Sequence, residues 1–232
     1  MSILKPSLPT DLRTVFTLSE SLERYQRDDE LVENSLFLQE KWPIRLYTPI
    51  SVQACLFRKC DFSLSQLHKA SFRHVVFEHC DFSNVMWTEC RYERVEFRQC
   101  KFMGSVFSAA LWRHVLFEEI SGEYCSLSGG DFDKIHFKQC SVTNSSFSDC
   151  KWKQVQFDKT DLTSCEFLHT SLKGVDLRDC QLNGIRLAGP ELRGAMVTSL
   201  QAVELSRFLG LEINDDPIIC KVRHDFRSRN PS

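Results

Sequence analysis

Eleven cysteines and seven histidines are the residues of this 232-residue chain best suited to metal or redox chemistry. Their spacing argues against both. Ten cysteines (Cys55, Cys60, Cys80, Cys90, Cys100, Cys125, Cys140, Cys150, Cys165 and Cys180) lie multiples of five apart in one column of a repeating pattern, and Cys220 lies beyond it. A structural zinc site needs four convergent ligands, and the chain holds no CxxC pair. Cysteines set by packing behave as small buried hydrophobes. The histidines are His68, His74, His79, His114, His136, His169 and His224, and none recurs at a ligand spacing. A Gly-rich phosphate loop, a GxSxG elbow and an HExxH motif are all missing. Adjacent acids such as Glu118 and Glu119 read as solvated surface. The expectation is a protein that is not an enzyme and has no metal or cofactor.

What positions these residues is a five-residue step sustained from Val52 to Val197. Every fifth residue is large and apolar, as in Val52, Phe57, Phe62, Leu67, Phe72, Phe77, Phe82, Trp87 and Tyr92, with Gly122 the one break. Two residues before each lies a small or β-branched residue, the column that holds the ten cysteines; the other three positions are largely polar. A helix repeats its apolar face every 3.6 residues and a strand every 2, so neither accounts for a period of five. Fixed-period self-similarity on this scale is the mark of a solenoid. Sorting at a spacing of 20 sharpens it. One large file reads Phe57, Phe77, Phe97, Phe117, Phe137, Phe157, and one small file reads Cys60, Cys80, Cys100, Ile120, Cys140, Thr160, Cys180. Files this uniform imply coils of four units, stacked at the ~4.8 Å spacing of paired strands. His74 and His114 then share a file two coils apart, about 10 Å, too far for one ion. Ile120 is expected to fill the space that Gly122 leaves in the same coil.

Units such as CDFSN, CRYER, TDLTS and CEFLH resemble the pentapeptide-repeat family over about two thirds of the chain. The resemblance implies an all-β solenoid, a right-handed quadrilateral β-helix with both columns pointing inward. The ending LQAVELSRFLGLEI is similar to the one with which a quinolone-resistance branch of that family closes its coil and dimerises. That branch mimics duplex DNA and binds DNA gyrase or topoisomerase IV.

Four segments follow. Residues 1–51 form an N-terminal cap, with Pro6 and Pro9 in an irregular lead, a helical stretch SESLERYQRDDELV and a degenerate first coil carrying Phe37, Trp42 and Tyr47 on register. Residues 52–197 form the β-helix. Residues 198–213 form a capping and dimerisation helix, opened by a Thr198/Gln201 capping box and stopped by Gly210. On it Leu200, Val203 and Phe208 share one side, while Ala202, Leu205 and Leu209 form the opposite, candidate dimer side. Residues 214–232 form a tail in which PIICKV is a candidate strand.

The net charge of −2 gives no overall attraction to nucleic acid. No run approaches 18 apolar residues and no leader is evident, so a cytoplasmic protein without membrane attachment is expected. The repeat holds 18 basic and 18 acidic residues, but they segregate by face. One face carries Arg73, Arg91, Arg94, Arg113, Lys134, Lys151, Lys153, Lys173 and Arg193 against Glu93, Asp131, Asp133 and Glu191, a surplus of five positive charges. The expected function is a scaffold that binds a protein partner through a flat face, with a type II topoisomerase as the alternative partner. Direct nucleic-acid binding is not expected, because stacking aromatics do not accompany the basic residues.

Overall fold

A computed structural model describes residues 2–14, 16–28, 31–46, 49–211 and 213. The chain winds into a parallel β-solenoid of about six turns with a short C-terminal helix. Five eight-residue strands, Ser71–Glu78, Arg91–Arg98, Leu111–Glu118, Asp131–Lys138 and Lys151–Asp158, pair in parallel in chain order, each turned around a corner at its fourth residue. Their register is 20 residues throughout: Val75 faces Val95, Val95 faces Val115, Val115 faces Ile135 and Ile135 faces Val155. Four five-residue units per coil is therefore the geometry of the chain.

The large column forms the core. Phe57, Phe77, Phe97, Phe117, Phe137 and Phe157 stack with ring centroids 5.1, 5.0, 5.2, 4.6 and 4.9 Å apart and planes within 18°. Such offset stacks add to plain burial. The small column also carries a bond. The thiols of Cys60, Cys80, Cys100 and Cys140 point at the carbonyls of Phe37, Phe57, Phe77 and Phe117, each 23 residues back, at 3.3–3.5 Å. Thr160 and Thr170 donate likewise to Phe137 and Phe147. Size alone does not explain why this column favours Cys, Ser and Thr; a donor that satisfies a buried carbonyl does.

The corners were not legible as such. Residues one position before the small column, including Ala54, Leu64, His74, Arg94 and Tyr124, hold φ near +55° without being glycine. Left-handed backbone costs an L-residue about 1–2 kcal/mol. Here it is offset by coil-to-coil bonds, since the N–H of Ala54, Leu64, His79 and Asn84 each reaches the carbonyl 19 residues on.

Both ends are closed. Helix α1 (Leu18–Asp28) starts at a reciprocal box in which Thr17 Oγ1 accepts from Glu20 N–H and Glu20 Oε2 accepts from Thr17 N–H. It buries Leu18 and Leu22 on the first coil, whose Phe37 and Trp42 are core residues; Tyr47 lies outside the described residues. At the far end helix α2 (Ser199–Leu205) opens with the Thr198/Gln201 capping box and continues as a 3₁₀ turn, Ser206–Leu209, ending at Gly210 with φ 69°. Gln201 also plugs the last coil, its Nε2 donating to the carbonyls of Leu177 and Cys180 at 2.8 and 2.9 Å. Of the three residues expected to face a partner, Leu205 is buried against the solenoid while Ala202 and Leu209 are exposed; Phe208 packs beside Leu205, and Leu200 and Val203 also face outward. The tail, with Cys220, His224 and PIICKV, lies outside the described residues.

Gly122 sits against the coils on either side. The atoms nearest to a side chain built there belong to Phe102, Val142 and Cys125, the first at 3.1 Å. Ile120 is buried in its own file of the same coil.

Candidate protein-binding face

The nine basic residues read from the sequence lie along one side of the solenoid, on or beside strands held in 20-residue register. In the row Arg73, Glu93, Arg113, Asp133, Lys153 the sign of the charge alternates at every coil. Opposite charges thus stack at about strand spacing, and three of the basic residues are taken up. Arg73 pairs with Glu93 at 3.6 Å, Lys153 with Asp133 at 3.7 Å, and Arg113 forks onto Asp131 at 3.0 and 3.1 Å. The Arg113 guanidinium holds the Asp131 carboxyl below its ordinary range. Such half-exposed pairs add little stability singly, but the alternation makes a shifted register costly, because like charges would then meet.

The sum by face missed this, although the outward positions read at a spacing of 20 contain it. The adjoining face repeats the device with Arg58, Glu78, Arg98, Glu118, Lys138 and Asp158. There Glu78 bridges Arg58 and Arg98, at 2.8 and 3.1 Å, and Lys138 meets Glu118 at 2.6 Å.

Glu191 requires a second correction. It is buried, its carboxylate accepting the N–H groups of His169 and Ala188 at 3.1 Å each, so its charge is held by backbone donors beneath the face and is not presented on its surface. The remaining surface charge belongs to Arg91, Lys151, Lys173 and Arg193, which are exposed, and to the half-buried corner residues Arg94 and Lys134. Arg91, Lys134, Lys151, Lys173 and Arg193 make no ion pair among the described residues. Phe72, Tyr92, Trp112 and Phe132 beneath them are fully buried and Trp152 is partly buried, so the face offers charge with little ring surface.

The thiols are inert by position. Burial pushes Cys90, Cys125 and Cys150 up to about 11 and Cys55, Cys140, Cys165 and Cys180 up to about 12. No group of three or more His, Cys, Asp or Glu side chains among the described residues is placed to hold a metal ion. No helix among them is long and apolar enough to cross a membrane.

A family model described as a pentapeptide repeat region matches residues 50–127 and 121–197. The chain belongs to the pentapeptide repeat family. Similar solved structures of pentapeptide repeat proteins include a trypsin-treated form of QnrB1, a plasmid-mediated fluoroquinolone resistance protein, at 19% identity over 88% of this chain and 98% of that one, with a TM-score of 0.38. Another is HetL, involved in heterocyst differentiation regulation in the cyanobacterium Nostoc, at 14% identity over 78% and 92% with a TM-score of 0.37. Rfr23 from the cyanobacterium Cyanothece is 10% identical over 78% and 99%, with a TM-score of 0.17. No curated protein matches the sequence.

Proposed function

We propose that this pentapeptide repeat protein is a non-catalytic scaffold that docks an acidic protein surface on the face of Arg91, Lys134, Lys151, Lys173 and Arg193. The observation that carries the reading is the division of labour on that face: alternating rows satisfy one set of charges internally, and a second set has no ion partner among the described residues. Cations spaced along a rigid rod steer an oppositely charged partner and fix its register. Buried aromatics beneath the face speak for a protein partner over single-stranded nucleic acid, which needs rings to stack on.

The test replaces Arg91, Lys134, Lys151 and Lys173 with Gln and compares partner capture from the native host at low and high salt. Salt-sensitive capture by the unmodified protein, lost in the variant, is the expected result. Equal capture by both would overturn the reading.

A second reading, binding to a type II topoisomerase, is favoured by the terminal segment LQAVELSRFLGLEI, whose residues up to Leu209 fold as a capped helix and 3₁₀ turn sealing the last coil. Its test is inhibition of purified gyrase supercoiling. Potent inhibition that survives the four Gln substitutions would put this reading first.

A further inference from the structure

The N-terminal lead is not loose. Residues 2–8 run in extended form along the outside of the solenoid, against the direction in which the coils advance. Leu4 donates its backbone N–H to His114 Nδ1 at 3.2 Å, and Ser7 donates to His74 Nδ1 at 2.9 Å. The two acceptors are two coils apart, about 10 Å, and three extended residues span the same length. Segment and scaffold are thus commensurate.

Beside the segment runs an outward row of one face, in which Leu36, Leu56, Val76, Glu96 and Leu116 are coil-to-coil partners. These occupy positions that the five-residue pattern otherwise gives to polar side chains. Lys5, Pro6 and Leu8 line one depression with Leu56, Val76 and Glu96. Although they point outward, Val76 and Glu96 are 5% and 2% exposed. Glu96 is held there by Arg98.

We propose that residues 2–8 are a strap latched by two neutral imidazoles, which mild acid releases to uncover Leu56 and Val76 of the apolar row. The chemistry follows from the acceptor atom. An Nδ1 that accepts a hydrogen bond carries no proton, and an imidazolium has no lone pair to offer. Protonation therefore removes both bonds and sets N–H against N–H. The groups facing His74 are Arg73, Arg94 and Glu93, and those facing His114 are Arg94, Lys134, Glu93 and Asp133, with Lys5 on the strap itself. Burial, then neighbouring cations, hold both histidines below their ordinary range.

The closed state binds fewer protons than the open one. Strap closure is thus fully favoured above the ordinary histidine value of ~6.5 and is lost as pH falls below it. Two latches titrating together make the transition steeper than one proton would. Once open, the corner presents His74, Arg94, His114 and Lys134 as four stacked cations beside the apolar row, a surface that fits an apolar anion.

The experiment uses the full chain, labelled with ¹⁵N, from pH 8 to pH 5. Backbone relaxation at Ile3, Leu4, Lys5, Ser7 and Leu8 reports the strap, near-ultraviolet circular dichroism reports the core, and the apolar anion anilinonaphthalene sulfonate probes the uncovered row. A His74→Gln/His114→Gln variant keeps an oxygen acceptor and removes the titration. Gln154 already occupies this corner row with φ 57°, so the backbone admits glutamine there. Expected are a strap rigid at pH 7.5 and mobile at pH 5, a several-fold rise in dye fluorescence, an unchanged core signal, and a variant that stays closed and dark at pH 5. A strap mobile at pH 7.5, one rigid at pH 5, release in the variant at the same midpoint, or loss of the core signal together with the strap would each overturn the proposal. None of these readouts involves the partner of the basic face, so the two readings fail separately.

Discussion

Thr170 Oγ donates to the carbonyl of Phe147 at 2.6 Å and accepts the N–H of Cys150 at 2.9 Å, joining two buried groups of the preceding coil. Valine occupies the same small column at Val75, Val95 and Val115, so its volume is acceptable to the coil. Thr170→Val thus isolates the bond from the packing. It leaves a buried N–H and a buried carbonyl unpaired, at about 1–3 kcal/mol for each unpaired group. Chemical denaturation should show the loss for Thr170→Val and little change for Thr170→Ser; equal stability of all three proteins would mean that the column is filled by size alone.

The thiols carry a pH signature. Each raised value means that the folded state keeps its proton more tightly than the unfolded chain, whose thiols titrate near 8.5. Their contribution is complete below that value and is lost as pH rises toward 11–12. A melting temperature flat from pH 7 to 8 and falling steeply above 9 is expected. In parallel, Ellman's reagent at pH 8 should leave the ten buried thiols unlabelled until denaturant is added. Rapid labelling of several thiols in the native protein would contradict the core packing described.

Glu78 lies between Arg58 and Arg98 in adjacent coils. Glu78→Gln removes two partly exposed pairs and should cost under about 1 kcal/mol. Glu78→Lys stacks three cations at strand spacing and should cost more, on the order of 1–3 kcal/mol, with much of the loss recovered in 1 M salt, where the Debye length is about 3 Å. A salt-insensitive loss would point to packing of the Glu78 stem.

The inward half of each five was legible because it obeys one rule: large residues must fill the coil interior, and like must stack on like every 20 residues. The Phe57 to Phe157 ladder is that rule made visible. The outward half obeys a rule between coils, so charges summed by face hid the alternation of Arg73, Glu93, Arg113, Asp133 and Lys153. The same reading at a spacing of 20 would have found Leu36, Leu56, Val76 and Leu116 as an apolar row in need of a cover. What stayed hidden was which segment covers it, because the bonds of Leu4 and Ser7 use backbone N–H groups that every sequence possesses. The inward side of helix α2 was hidden for a related reason: with apolar residues on both sides, periodicity has no preference, and the choice is made by where the last coil leaves room for Leu205.

Ile120 tests the core at its one irregular coil. It is 3% exposed, so Ile120→Ala should cost about 2–5 kcal/mol by thermal or denaturant unfolding. Gly122 has an ordinary φ, but an added methyl meets Phe102 Cβ at 3.1 Å, so Gly122→Ala should be mildly destabilising. A stabilised Gly122→Ala would show that a void persists there after all.

The terminal helix separates sealing from association. Leu205 is 7% exposed and closes the last coil, whereas Leu209 and Leu200 are 74% and 75% exposed, and Leu211 and Val203 are exposed as well. A charge at Leu205 must be buried without a partner, so Leu205→Glu should destabilise strongly, by about 3 kcal/mol or more. Leu209→Glu places its charge in water and should leave unfolding unchanged. If the exposed residues form a self-complementary patch, as two-fold dimers require, sedimentation should show a dimer for the unmodified protein and a folded monomer for Leu200→Glu with Leu209→Glu. A monomer for both proteins at tens of micromolar would assign the helix to sealing alone, and a dimer for both would place the interface elsewhere on the solenoid.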